Sequence, residues 1–412
     1  MKRDGLHIET DTTLSGDLVR RTVRLHEDGA KNTHEAVYEF ERPGSASGEE
    51  TLDGAVLAFL FHAMQRGRPL FVHGPLTRTA LYNIEMLQGA WRCWRPARYK
   101  QVDVLPERIA DRQDAKPGRK AIAAYSGGVD STYTALRHRR HLPPESRRNL
   151  TSVLMVHGFD VSLDKPDHFK RLVERTRAFR DYLGLDLRVV RTNSKELYLQ
   201  DWQDSHAAQL AACLHLFSDE FEFGLIGSTK SYDALVLPYG TSPVTDHLLS
   251  GDGFSIAHDG AEASRTEKVE VIAKHPIAVQ ALKVCWEGKK QFRNCGVCEK
   301  CVRTQLNFAA VGVVDPLCFE GRVDMRQIRT IPVRNEPQAA ELRSIVDYAR
   351  QHNVQGDWLE ALKARIAAVR PEPKALVMLR AALRAARAGA VIALDAIGAK
   401  QSVKRVRDAL RR

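Results

Sequence analysis

From residue 120 onward, short apolar runs alternate with longer amphipathic ones, the pattern of strands and helices taking turns. Ala121–Tyr125 reads as a buried strand, and Tyr133 and Leu136 open a helix beyond it. Ser152–Val156, Leu187–Val190 and Phe223–Ile226 repeat the strand signal, and Phe169–Leu183 and Gln209–Leu216 have helical spacing. Such alternation predicts an α/β fold with a parallel, doubly wound sheet. Ligands of these sheets gather beyond the carboxyl ends of the strands. Four polar runs follow the four strands: Ser126–Ser131, His157-Gly158-Phe159-Asp160, Arg191-Thr192-Asn193-Ser194 and Gly227-Ser228-Thr229-Lys230. They are predicted to converge on one cleft.

The flanks read differently. Residues 1–113 predict a small α+β domain, with strands at Leu18–Leu25, Ala36–Glu41 and Leu70–Val72 and helices at Leu52–Met64 and Leu76–Trp91. No catalytic cluster stands out there. Asp111–Lys120, with Lys116-Pro117-Gly118, reads as a linker, which leaves residues 120–318 to the alternating domain. Residues 319–412 read as helical and Ala/Arg-rich, through Ala339–Gln351, Trp358–Val369 and Lys374–Ala388. Packing, dimer contact and substrate cover are all open to this appendage.

Composition narrows the class. A chain of 412 residues is long for one ordinary domain, and 43% hydrophobic residues support real cores. No apolar run approaches the roughly 20 residues of a membrane span; Ala388–Leu394 comes nearest and ends at Asp395. The start, MKRDGLHIETD, lacks the apolar stretch of a secretory signal, so a cytoplasmic location is expected. The net charge of +11 is uneven: from Pro371 onward ten Lys/Arg face three Asp/Glu, a local +7. That tail is a candidate surface for nucleic acid or a partner protein. Without stacking aromatics, a solvated helix face is the simpler reading.

The first strand-end run holds the most chemistry. Between the predicted strand and helix stand Ser126-Gly127-Gly128-Val129-Asp130-Ser131. Paired glycines let a backbone pass close to a ligand through conformations that other residues avoid. Free N–H groups at the new helix's start, with its dipole, favour an anion. Ser126, Ser131 and Thr132 add hydroxyls. The plainer alternative is a tight turn capped by Asp130 or Ser131. The Gly-x-x-x-x-Gly-Lys-Ser/Thr loop of kinases and GTPases is absent, and Gly251-Asp252-Gly253 is a poor dinucleotide fingerprint. SGGVDS resembles instead the PP-loop of ATP pyrophosphatases, which split ATP into AMP and pyrophosphate while adenylating a substrate.

Four of the seven cysteines cluster at Cys285, Cys295, Cys298 and Cys301. In a cytoplasmic chain this points to metal or redox chemistry, not to disulfides. Zinc takes four thiolates in a tetrahedron, and an iron–sulfur cluster is also compatible with the C-x2-C-x2-C run. With four cysteines no position is left for a water, so zinc would be structural.

The two motifs together, SGGVDS and a later Cys-x9-Cys-Gly-x-Cys-x-x-Cys, resemble the 7-cyano-7-deazaguanine synthase family over about residues 120–310. The resemblance implies an adenine nucleotide alpha hydrolase-like fold, ATP, Mg2+ and Zn2+, and a carboxylate that is adenylated and then converted by ammonia to an amide and a nitrile. It implies that Ser126, Gly127, Gly128, Val129, Asp130 and Ser131 hold pyrophosphate, with Asp130 orienting the loop or a magnesium ion. Val156, His157 and Gly158, with Gly227, fall at the adenine, and the four cysteines at the zinc. Arg265-Thr-Glu-Lys268-Val-Glu-Val-Ile resembles the family's Lys-x-Glu-Ile-Val helix. Lys230, Arg265 and Lys268 are the candidate cations for the α-phosphate or leaving group.

Departures fall on the substrate side. His157-Gly158-Phe159-Asp160 stands where the family has an Asp-Tyr-Gly-Gln-like run. Ser228–Asp233 and Leu237-Pro-Tyr-Gly-Thr replace its Asn-Ala-x-Asp and Tyr-Pro-Asp-Cys-Arg segments. A deazapurine-like base or another small carboxylate is the expected substrate, with Tyr232, Asp233, Asp246 and His247 as candidates to face it. His206 and His215 fit a helix face and need no function. A homodimer is open to the chain. Two other functions remain in play. One is an amidotransferase or sulfurtransferase acting on a sugar or tRNA, for which Cys213 and Cys318 are the nearest spare thiols. The other is a non-enzymatic module binding nucleotide or nucleic acid.

Overall fold

The structure, a computed structural model, describes residues 4–30, 32–42, 51–110, 117–285, 287–288, 290–333 and 336–368. The helix read at Lys374–Ala388 and the basic tail from Pro371 lie outside the described residues.

The N-terminal part runs β1 (Leu6–Ser15), β2 (Leu18–Glu27), β3 (Thr33–Glu41), α1 (Asp53–Arg66), β4 (Leu70–Leu76), α2 (Arg78–Trp94) and β5 (Val104–Ile109). The alternating segment follows as β6 (Lys120–Ala124), α3 (Val129–Leu136), β7 (Asn149–His157), α4 (Pro166–Arg175), α5 (Arg177–Leu183) and β8 (Asp186–Thr192). It continues as α6 (Trp202–His215), β9 (Phe223–Gly227) and β10 (Ser255–Asp259). Helices follow: α7 (Arg265–Ala273), α8 (Pro276–Ala281), α9 (Glu299–Ala310), α10 (Met325–Thr330), α11 (Glu336–Gln351) and α12 (Asp357–Ala367). Among the described residues, no helix is long and apolar enough to cross a membrane.

These strands form one sheet in the order β10-β9-β6-β7-β8-β3-β2-β1-β4-β5. From β10 to β8 every neighbouring pair is parallel, the α/β architecture expected from the alternation. Chain direction across this block reverses at β6. The chain steps outward through β7 and β8, then returns to lay β9 and β10 on the other side. Crossovers on opposite faces leave a crevice beyond the carboxyl ends of β6 and β9, where a doubly wound sheet takes its ligand.

Beyond β8 the sheet is antiparallel through β3, β2 and β1, then parallel again through β4 and β5. Tyr38, Glu39 and Phe40 of β3 pair with Thr192, Arg191 and Val190, which joins the N-terminal strands to the same sheet. The run AVLAFLFHAM makes α1 apolar on nearly every side, so it is buried all round. Its Phe59 and Leu60 share one core with Ala208, Ala211 and Leu214 of α6 and Ile226 of β9.

Two details depart from the periodicity. The helix read over Phe169–Leu183 is two helices, parted at Thr176. There the buried hydroxyl donates to the Val173 carbonyl at 3.0 Å, competing with the helical ladder. Strands β1, β5 and β10 have no clear apolar alternation; β10 is only five residues, SIAHD.

Behind the end of β7 the backbone crossing is very tight. Gly158 has φ 117°, and a Cβ on it would lie 1.9 Å from the Thr192 carbonyl oxygen. Gly158→Ala is therefore expected to cost about 3 kcal/mol or more. The check is a lower urea midpoint with an unchanged slope; an unchanged midpoint would refute this account of the glycine.

Candidate nucleotide site and cysteine centre

β6 carries the chain into the crevice, and α3 takes it out. Between them Gly127 has φ 75°, in the left-handed region that favours glycine. Gly128, at φ −77° and ψ 170°, is the extended residue before α3, so the need for positive φ falls on Gly127 alone. A Cβ on Gly128 would stand 3.2 Å from the Ser126 hydroxyl. The Ser131 hydroxyl accepts from the Ser126 N–H at 3.3 Å and donates to the Gly128 carbonyl at 3.2 Å. Gly128 N–H in turn reaches the Ser126 hydroxyl at 3.3 Å. These bonds tie the loop around its own serines. At the end of β9, a Cβ on Gly227 would lie 3.0 Å from the Asp130 carbonyl carbon, so a glycine lets β9 approach the first turn of α3.

Charges converge on the same turn. A reciprocal capping box at Ser264 and Glu267 starts α7 and places Arg265 and Lys268 beside it. Arg265 donates to both Asp130 oxygens, at 3.0 and 3.2 Å. The Lys268 ammonium lies 3.9 Å from Asp130 and donates to the Ser228 carbonyl at 2.6 Å. Burial pulls Lys268 below its ordinary pKa, and the Asp130 charge opposes that. Lys230 is ion-paired with Glu341 of α11. Arg303 donates to the same Glu341 at 2.8 Å and to Glu299 at 2.6 Å. The C-terminal helices thus reach the site through one carboxylate.

Burial alone would raise the pKa of Glu341, but Arg303, Lys230 and Arg265 outweigh it and hold the carboxyl down to about 2. His62 of α1 is depressed to about 4, chiefly by burial. For both groups the folded pKa lies below the unfolded one, so the unfolded chain binds the extra proton. Stability should fall as pH drops, through the His62 window from 6.5 to about 4 and the Glu341 window from 4.5 to about 2. Each contribution is on the order of 3 kcal/mol. Urea denaturation across this range checks it, and His62→Gln should shrink the upper part of the slope, to which His157 and His206, also lowered by burial, contribute as well.

A cavity of about 280 Å³ opens beside the turn. Leu154, Val156, Phe159 and Leu210 give it an apolar wall; Ser126, Asp130, Asp160, Thr229 and Lys300 give it a polar rim. Ser131 and Gly227 line it as well, so five residues read from the sequence meet here. His157 turns away. Its ring stacks on Phe169 at 4.6 Å, its Nε2 bonds the Ser162 carbonyl at 3.1 Å, and burial holds its pKa below the usual range.

The third strand-end run does not join the cleft. The Asn193 side chain accepts from Val37 N–H at 2.8 Å and donates to the Glu35 carbonyl at 3.0 Å, while Arg191 pairs with Glu39. β8 sits two strands from the reversal at β6, and its end serves the junction with β3. On the substrate side, Asp246 is a buried hub for Thr241, Ser242 N–H and His258, at 2.6, 2.9 and 2.8 Å. Tyr232, Asp233 and His247 are exposed. His206 lines the cavity and does not rest on a plain helix face; Tyr239 and Thr241 line it too. Nothing local in the sequence marks these three. Lys300 had one signal, its place inside the Cys298-Glu-Lys-Cys301 run.

The four cysteine sulfurs lie within 4.8 Å of one another. Two of the pairs, Cys285–Cys298 and Cys295–Cys301, stand at 3.8 Å. Sulfurs held about 2.3 Å from one zinc in a tetrahedron are about 3.8 Å apart, so the donor set fits a tetrathiolate ion. Gly288 and Cys298 N–H groups donate to the Cys285 and Cys295 sulfurs at 3.2 and 3.3 Å. Asn294 braces the loop, accepting from Val284 and Cys285 N–H and donating to the Leu282 and Cys318 carbonyls.

Comparison with known proteins adds one likeness. A 118-residue stretch is 30% identical to "GMP synthase [glutamine-hydrolyzing]" of Petrotoga mobilis (strain DSM 10674 / SJ95), covering 28% of this chain and 21% of that protein. The chain thus spans about a fifth of the length of the curated relative it matches. No protein-family model matches the chain, and no solved structure matches it. The likeness supports an ATP-utilising enzyme of the PP-loop ATP pyrophosphatase superfamily, and it does not extend to the 7-cyano-7-deazaguanine synthases.

Proposed function

We propose that the protein adenylates a small carboxylate or amide, with ATP split to AMP and pyrophosphate, so that nitrogen can displace the AMP. The observation that carries this is the glycine turn at the β6–β9 crevice, tied by its own serines and faced by Asp130, Arg265 and Lys268. A substrate oxygen attacks the α-phosphorus, the bond to the bridging oxygen breaks, and pyrophosphate leaves with that electron pair. The N–H groups of Val129, Asp130 and Ser131 in the first turn of α3, with the proton of the Ser126 hydroxyl, hold the leaving phosphates. Arg265 and Lys268 keep Asp130 in register with the loop. Magnesium would arrive with the nucleotide, where Asp160 offers a second cleft carboxylate beside Asp130.

The apolar wall at Leu154, Val156 and Phe159 suits the adenine, and Trp202, His206, Tyr239 and Thr241 suit a planar, hydrogen-bonding substrate such as a deazapurine-like acid. The cysteine centre, filled with zinc, would supply structural stability. Sulfur transfer has less support: Cys213 is buried in α6, burial pushes Cys318 up to about 12, and neither lines the cavity. The test is mass-resolved ATP incubated with metabolite fractions, scored for AMP and for an adenylate or amide product. Substrate-dependent ADP with no AMP would sink the proposal, as would nucleotide binding without turnover in every fraction.

A further inference from the structure

The cations around the glycine turn are not equivalent. Arg265 and Lys268 are held by Asp130, Lys230 by Glu341, and Arg303 by Glu299 and Glu341. Lys283 is fastened to the turn by its backbone, whose N–H donates to the Gly127 carbonyl at 2.7 Å, and it does not line the cavity. Among the described residues lining the cavity, Lys300 is the one lysine or arginine. Its side chain has no ion pair or hydrogen bond among the described residues. An ammonium partly withdrawn from water and facing a cavity is best matched by an anion that enters it.

Its placement is also unusual. Lys300 lies between Cys298, the residue that caps α9, and Cys301 in the first turn of that helix. Two of the four sulfurs of one centre therefore bracket the residue that faces the cavity. Gln305 fastens the same loop, donating to the Gly296 carbonyl at 3.0 Å. A flexible lysine on an open loop would be a poor phosphate ligand; one anchored on both sides gives up less freedom on binding.

We propose that Lys300 binds the phosphate tail of ATP, and that the cysteine centre positions it for that contact. This rests on the nucleotide reading above. The β- and γ-phosphates gain negative charge as the α-phosphorus bond breaks, so an ammonium beside them stabilises the departing pyrophosphate more than the intact nucleotide. The cysteine centre would then serve the site directly as well as the fold.

The experiment is calorimetric titration of ATP–Mg2+ and of AMP into wild-type protein, Lys300→Met and Lys300→Arg, with melting temperatures alongside. Methionine keeps the apolar stem and removes the charge. The expected result is ATP binding about 10- to 100-fold weaker in the methionine variant, the loss of a hydrogen bond to a charged group. AMP binding should stay within about twofold, because AMP lacks the tail. The arginine variant should recover most of the loss, and the melting temperatures should agree. Equal ATP affinity in wild type and Lys300→Met overturns the assignment. Equal losses for ATP and AMP overturn it too, since the side chain would then serve the nucleoside or the fold. Wild-type protein that binds neither nucleotide overturns the nucleotide reading itself along with this inference.

Discussion

Cys298→Ser is expected to abolish stoichiometric metal binding and to lower the melting temperature by about 10 °C or more. Cys298 sits at the junction of the loop and α9, and its sulfur is 3.8 Å from that of Cys285. Three remaining thiols leave a coordination position to water, and the loop loses the tie between its two ends. The loop also carries Asn294, which braces both Leu282 and Cys318, so loosening spreads into the core beneath α8. Elemental analysis should find one zinc per chain in the wild type and little in the variant. Iron in the wild type, or folded soluble protein holding no metal, would overturn the zinc assignment.

The second large effect concerns the glycine turn. Asp130→Asn should lower AMP formation by about 100-fold or more while the fold survives. The near-isosteric amide still accepts one bond from Arg265, but Arg265 and Lys268 lose the charge that balances them. Some loss of stability, about 1–3 kcal/mol, should accompany this. Gly127→Val should act differently. A branched residue is strained at φ 75°, so the turn tied by Ser126 and Ser131 loses its shape and ATP affinity is lost before any chemistry. Gly128, with its ordinary φ, should tolerate alanine better than Gly127 does. If Asp130→Asn left AMP release undiminished, the turn would be a cap and not a catalytic loop.

Much of the glycine turn and its cleft was legible because its signals are local. A strand, two glycines and a helix start occupy ten consecutive residues, and the torsional demand on Gly127 arises inside that stretch. The cysteines were legible for a similar reason, since three of the four fall within seven residues and one turn of chain brings them together. The cation partners were not. Lys230, Arg265 and Lys268 look alike as charges in a sequence, and which of them faces a ligand depends on carboxylates far along the chain. Glu341 is 111 residues from Lys230, and no periodicity links them.

The sequence by itself determined the parallel α/β block, the crevice at its chain reversal and the four cysteines that the fold gathers. Each rests on short-range geometry: the two-residue and 3.6-residue periods, the φ that glycine alone adopts freely, and the reach of neighbouring thiols. Only the tertiary structure decided that the N-terminal strands extend the same sheet through β3 and β8, because antiparallel pairing across 150 residues leaves no local trace. It also decided that Lys230 is held by α11, that His157 and Asn193 are taken up by bonds outside the cavity, and that Lys300 faces it. Those outcomes depend on which buried charges find partners, and a buried ion pair forms wherever the folded chain brings the two groups together.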